Sequence, residues 1–228
     1  SYGTQLLWPF SNYRFSWNSI SIIDPLLTIP ILLLMFLAVI VKNKFLNIVS
    51  LVWIFAYLGL GFFQSSLALK EAINLAKHRN HDFKKITVKP SFGNIFLWKI
   101  VYLYDGKYYI DSVNLLGKTR FCFGETIDKL DTNIHYKNLN KDSKQFKDIL
   151  RFNWFSQGYL AYDNEKDLII DVRYSAIPNE AEGLWGIKIN PDPNYTDHVK
   201  WVVNRENFFE RLPKLKAMLF GNFCNKEI

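Results

Sequence analysis

Hydrophobic positions in the first third of this chain are segregated, not interleaved with polar ones. Ile20–Val41 and Phe45–Leu69 are nearly unbroken apolar runs, with Asp24 their only charge and Lys42-Asn43-Lys44 the polar break between them. A bilayer core about 30 Å thick takes roughly 20 helical residues to cross, and both runs reach that length. They predict two membrane spans, at 20–41 and 45–69, packed as an antiparallel hairpin. Asp24-Pro25 suits a helix start, because Asp caps free N–H groups and Pro is tolerated in the first turn. Pro30 is expected to kink the first span, and Gly59 and Gly61 to let another helix come close to the second. From Gln64 the second run turns amphipathic without a stop signal. One helix should therefore leave the membrane and continue to about His78, ending by Asp82.

Residues 1–19 are poor in charge and rich in rings: Tyr2, Trp8, Phe10, Tyr13, Phe15 and Trp17. Trp and Tyr concentrate at the headgroup level, and Pro9, Ser11 and Asn12 oppose a continuous helix, so an interfacial or re-entrant segment is expected. Beyond residue 82 the periodicity changes. Ile95–Tyr104 and Lys107–Leu115 flank Asp105-Gly106, a strong hairpin signal. Tyr159–Asp163 and Leu168–Tyr174 suggest a second hairpin, and Leu184–Ile189 a further strand. Asp142–Arg151 reads as a helix burying Phe146, Ile149 and Leu150, and Asn204–Phe220 as a closing helix with Gly221 at its C′ position. The expected fold is a two-helix membrane hairpin (residues 1–82) followed by a small α+β domain with mainly antiparallel strands (residues 83–228).

Composition sharpens this division. From Lys70 onward there are 25 basic and 20 acidic side chains, too balanced for a nucleic-acid footprint, so no nucleic-acid partner is expected. The basic excess suits anionic headgroups of a lipid bilayer. The two cysteines, Cys122 and Cys224, are expected as unpaired thiols, with one long-range disulfide as the alternative. His78-Arg79-Asn80-His81 is expected to be a solvated helix end and not a metal site. Asp171 and Arg173 should form a surface ion pair. Asp24 is either a functional carboxylate at the membrane boundary or a helix cap. The residues carry no Walker loop, GxSxG, HExxH or GxGxxG.

The opening residues also carry a resemblance. Tyr2-Gly3-Thr4, Leu6-Leu7, Pro9-Phe10-Ser11, Tyr13-Arg14-Phe15, Trp17, Ile23-Asp24-Pro25-Leu26 and Thr28 follow one another in a fixed order. This run resembles the YdjM-like family of bacterial inner-membrane proteins, described as metal-dependent hydrolases. The resemblance implies a divalent metal ion as cofactor and an ester or phosphoester substrate, amphiphilic or lipid-linked from its position. The family's His and Asp motifs lie upstream of the Tyr-Gly-Thr run and do not occur here. This chain, opening on Ser1, is thus expected to be the C-terminal part of a longer protein, without metal ligands and inactive alone. By the same resemblance Asp24 is the candidate supporting catalytic residue, and Tyr2, Thr4 and Gln5 the candidate substrate-binding residues.

The alternative reading is a non-enzymatic, membrane-anchored binding module for a protein partner or the membrane surface; a transport or lipid-handling component is a third. Lys70, Lys77, Arg79, Lys84 and Lys85 outnumber Lys42 and Lys44, which favours a multi-pass inner-membrane protein with a cytoplasmic C-terminal domain. Unpaired cysteines agree with that side.

Overall fold

The computed structural model describes residues 2–192, 195–204, 208–221 and 224. Two antiparallel helices, α1 (Pro25–Val41) and α2 (Phe45–His78), lead into antiparallel β-sheets. Asp24 caps α1 and Pro25 fills its first position, while Pro30 sits inside the helix without ending it. Lys42 adopts a left-handed backbone and closes α1 before the turn into α2. At 34 residues, α2 is long and apolar enough to cross a membrane, whereas α1 has 17 residues. The glycines of α2 serve a different contact from the expected one. A Cβ on Gly61 would meet the Ser19 carbonyl oxygen at 2.5 Å, so Gly61 admits the incoming chain and not a helix, and Gly59 faces open space.

The first sheet orders its strands β1 (Lys85–Pro90), β2 (Leu97–Tyr104), β3 (Lys107–Asn114) and β4 (Arg120–Cys122), with β5 (Thr126–Asp128) also on β3. Asp105 and Gly106 both take positive φ, the conformation that a two-residue hairpin requires. A short helix, α3 (Thr132–His135), and then α4 (Lys144–Phe155) precede the second sheet. That sheet is β6 (Leu160–Asp163), β7 (Leu168–Asp171), β8 (Trp185–Lys188) and β9 (Lys200–Val203), in order. The closing helix α5 spans Phe208–Leu219 and passes through Pro213; residues 205–207 of the expected element lie outside the described residues. Gly221 has φ of 82°, as a C′ residue should.

Alternation on β2 explains the layering. Trp98, Ile100 and Tyr102 pack against Ala68, Ala72, Leu75 and Ala76 of α2. Val101 and Leu103 point the other way, joining Tyr108 and Ile110 against Leu168, Ile170 and Val172 of the second sheet. Covered on both faces, β2 is a continuous buried run. The far face of the second sheet is closed by Ile149 and Phe152 of α4, while Leu150 is 54% exposed, so the expected helical face is rotated. The division drawn at residue 82 falls in the connection between α2 and β1, but the core runs across it.

Three further expectations are corrected. Cys122 and Cys224 form a disulfide, both buried beside Leu215 and Met218. The Asp171–Arg173 pair is buried, with side-chain exposures of 0% and 3%, because Arg173 lies between the sheets. The end of α2 is docked, not merely solvated. Arg79 donates to both Asp111 oxygens (2.6 and 2.9 Å) and to the Tyr102 hydroxyl (2.9 Å), and His81 stacks on Tyr104 at 4.2 Å. Breaking a buried pair leaves an uncompensated charge. Asp111→Ala is therefore expected to destabilise the protein by about 2–4 kcal/mol. Thermal unfolding in detergent checks this, and an unchanged Tm would remove the pair from the joint.

Candidate functional site

Of the residues flagged from sequence, Asp24 is the most committed to structure. Its carboxylate accepts from the Leu26 and Leu27 amides at 3.1 and 3.3 Å, and from the Tyr57 hydroxyl at 2.8 and 2.9 Å. It is 4% exposed, caps α1 and ties it to α2. Thr4 is exposed and forms a β-bridge with Phe15; the Gln5 amide reaches Asn12. These three do not converge. Tyr2 instead turns towards the second sheet, accepting a hydrogen bond from the Trp185 indole at 2.5 Å and packing on Tyr174 and Phe155. Burial, the nearby Asp171 charge adding to it, pushes its hydroxyl up to about 12.

Tyr2 stands behind a feature the sequence reading missed. After α2, β1 runs back along it, and the turn after Pro90 reaches the start of α1. The Gly93 amide donates to Ser21 Oγ at 3.3 Å. There a cleft of about 430 Å3 opens between the two sheets. Ile20, Ile22, Ile23 and Phe92 line one side, and Tyr174, Pro178, Leu184 and Trp185 the other.

The cleft's polar lining is cationic. Lys89 and Lys99 are direct cross-strand partners in the β1–β2 ladder, and both are buried, at 7% and 4% exposure. Like charges directly opposite are destabilising, and burial adds a desolvation cost. Lys89 donates to Asn18 Oδ1 (2.7 Å) and the Tyr174 hydroxyl (3.1 Å). Lys99 donates to Ser175 Oγ (2.7 Å) and the Glu180 carbonyl (2.8 Å). All four acceptors are uncharged. Burial lowers both ammonium groups to about 7; the Arg173 charge adds to this at Lys89, whereas Asp171, Glu125 and Glu180 partly oppose it at Lys99. Arg173, the third cation, is held by both oxygens of Asp171 and by Gln157 Oε1 at 3.0 Å. A signal was available: Lys99 interrupts an otherwise apolar strand, Leu97–Tyr104.

A divalent metal does not fit this donor set. Asp171, the buried carboxylate behind Arg173, is saturated by it, and no group of three or more His, Cys, Asp or Glu converges among the described residues.

The first part of the chain also matches a family model. Residues 1–68 match the model of the YdjM inner membrane protein family, the one that the opening motif resembles. The chain is a membrane protein: this match and the apolar α2 agree on it. The matched segment ends at Ala68, where α2 begins to pack on the sheet, so it covers the wall of Ile20–Ile23 but not the lysines. No curated protein and no solved structure matches the chain.

Buried charges without ionic partners cost stability that an apolar side chain restores. Lys99→Met is expected to raise stability by about 1–3 kcal/mol. Chemical denaturation in detergent checks it, and a loss of similar size would mean that Lys99 is a structural residue.

Proposed function

We propose that this chain is a membrane-anchored binding module that receives an amphiphilic ligand at the bilayer surface. One observation carries the reading: the lead-in to α1 and the β-sheets build a single cleft, apolar at the membrane side and cationic inside. Ile22 and Ile23, 74% and 58% exposed, form its lip immediately before Pro25 begins α1. A ligand tail leaving over this lip would enter the bilayer alongside α1, with its charged end facing the lysines.

Both helices span the bilayer in this reading. Large apolar side chains are exposed along all of α1, including Ile29, Leu32, Phe36, Val39 and Ile40, a surface suited to lipid and not to water. At 17 residues α1 reaches only roughly 26 Å. The exposed rings of Trp8, Phe10, Tyr13 and Trp17 would sit at the headgroups beside it.

We place the β-sheets on the oxidising side of the membrane, opposite to the side that charge counting favoured. Disulfides persist in oxidising compartments, and Cys122–Cys224 removes the argument from unpaired thiols. Of the cations behind the charge count, Arg79 is paired with Asp111 and Lys85 lies over the Tyr159 ring. Lys42 and Lys44, both exposed in the inter-helix turn, then become the cytoplasmic charges.

Metal-dependent hydrolysis of a membrane-proximal ester or phosphoester is the second reading. It is favoured by the family match and by a cleft that suits an anionic substrate. Its metal ligands would have to come from outside these residues, with Asp24 and Tyr2 only supporting the fold around them.

Two measurements follow. Native mass spectrometry of protein extracted in mild detergent should show a retained amphiphile. Ala176→Trp, which fills the cleft, should reduce its retention at least about tenfold, a loss of about 1.4 kcal/mol. Equal retention would place the ligand elsewhere. A C-terminal alkaline phosphatase fusion should be active and a green fluorescent protein fusion dark; the reverse pattern would overturn the assigned side.

A further inference from the structure

We propose that the cleft is a proton-coupled oxyanion site, in which Lys89 and Lys99 hold the phosphate-class end of the ligand and take up protons as it binds. This rests on the cleft being the ligand site, as above, and goes further by naming the chemistry that the ligand must carry.

The arrangement of donors supports the assignment. Each ammonium group has three N–H donors, and each lysine uses two of them on the neutral acceptors described. One donor per lysine is left for a ligand, from neighbouring strands at the same level of the ladder. Neither lysine makes an ion pair among the described residues. Asp171 is taken by Arg173, and the Glu180 carboxylate by Arg211 and Lys214. A phosphate monoester, with roughly −1.5 to −2 charge at neutral pH and three acceptor oxygens, matches two such donors backed by Arg173 better than a singly charged carboxylate does.

The pH dependence follows from the groups around the lysines. Lys89 faces Arg173, which opposes its charge, and Asp171, which favours it; Lys99 faces Asp171, Glu125 and Glu180, all favouring it. Burial outweighs these and leaves both lysines near 7. A bound oxyanion raises both, so binding takes up protons. Affinity is then highest at about pH 6–7, where the lysines are charged and the phosphate keeps most of its second charge, and falls as pH rises further, because binding must first draw protons from solvent.

The test is isothermal titration of the full chain in detergent with four probes: inorganic phosphate, dihexanoyl phosphatidic acid, dihexanoylglycerol and hexanoate. Phosphatidic acid should bind at least about tenfold more weakly at about pH 9 than at about pH 7. Titration at about pH 8 in buffers of different ionisation enthalpy should show proton uptake. Lys99→Met should lose at least about tenfold in affinity and part of that uptake, while the variant stays folded by its unfolding midpoint. Binding of inorganic phosphate as well would show that the headgroup chemistry suffices; binding of phosphatidic acid alone would show that the tail is also required. Both outcomes support the site. Equal binding of dihexanoylglycerol or hexanoate, or pH-independent binding unaltered by Lys99→Met, would overturn the oxyanion assignment while leaving an amphiphile cleft in place. Binding of no probe, with no amphiphile retained on extraction, would overturn both.

Discussion

The structure depends on α2 being one continuous helix whose two halves meet different surroundings. Its first half presents large apolar side chains outwards, while its last turns present the small residues Ala68, Ala72 and Ala76 to β1 and β2. Small side chains let the sheet come close, and Leu75 fills the remaining space. The Arg79–Asp111–Tyr102 contact then fixes the helix end on β2 and β3. With the helix running about 51 Å without a break, the orientation of the β-sheets relative to the apolar half of α2 is set by this packing and not by a flexible linker.

The position of the cleft follows from that geometry. Because β1 must return along α2, its last residues come back to the start of α1, where they meet its lead-in. The contacts of Ser19 with Gly61, Ser21 with Gly93 and Asn18 with Lys89 are three expressions of one junction. Placing two buried lysines opposite each other in this junction costs stability, and nothing in the packing of the sheet requires it. Strain of this kind is expected where a site is tuned for binding and compensated elsewhere in the core. Here the compensation lies in the extensive apolar burial of β2, β3 and β7.

The parts of the fold legible in the sequence were those governed by local rules. The apolar runs and the Asp-Pro cap marked the helices, and Asp105-Gly106 marked its hairpin because both residues tolerate positive φ. The β1 strand is not legible because both its faces are covered, Ile86 and Val88 by α2 and Lys89 by the second sheet, so it lacks the usual alternation of buried apolar and exposed polar residues. The disulfide was equally hidden: a separation of 102 residues carries no spacing signal. At the candidate site, Asp24 and Tyr2 are conspicuous by motif, whereas Lys99 is one position within the strand expected over Ile95–Tyr104. Its significance depends on Lys89 being its cross-strand neighbour, which only tertiary register reveals.

Hydrogen exchange of the protein in lipid nanodiscs tests the central claim most directly, since a continuous α2 locked to the sheet must exchange as part of the same cooperative unit. The amides of residues 70–78 should be protected to the same degree as those of β2 and β3. Much faster exchange of residues 70–78 than of the sheet would reveal a hinge at the membrane surface. It would contradict a cleft held rigidly at the bilayer boundary.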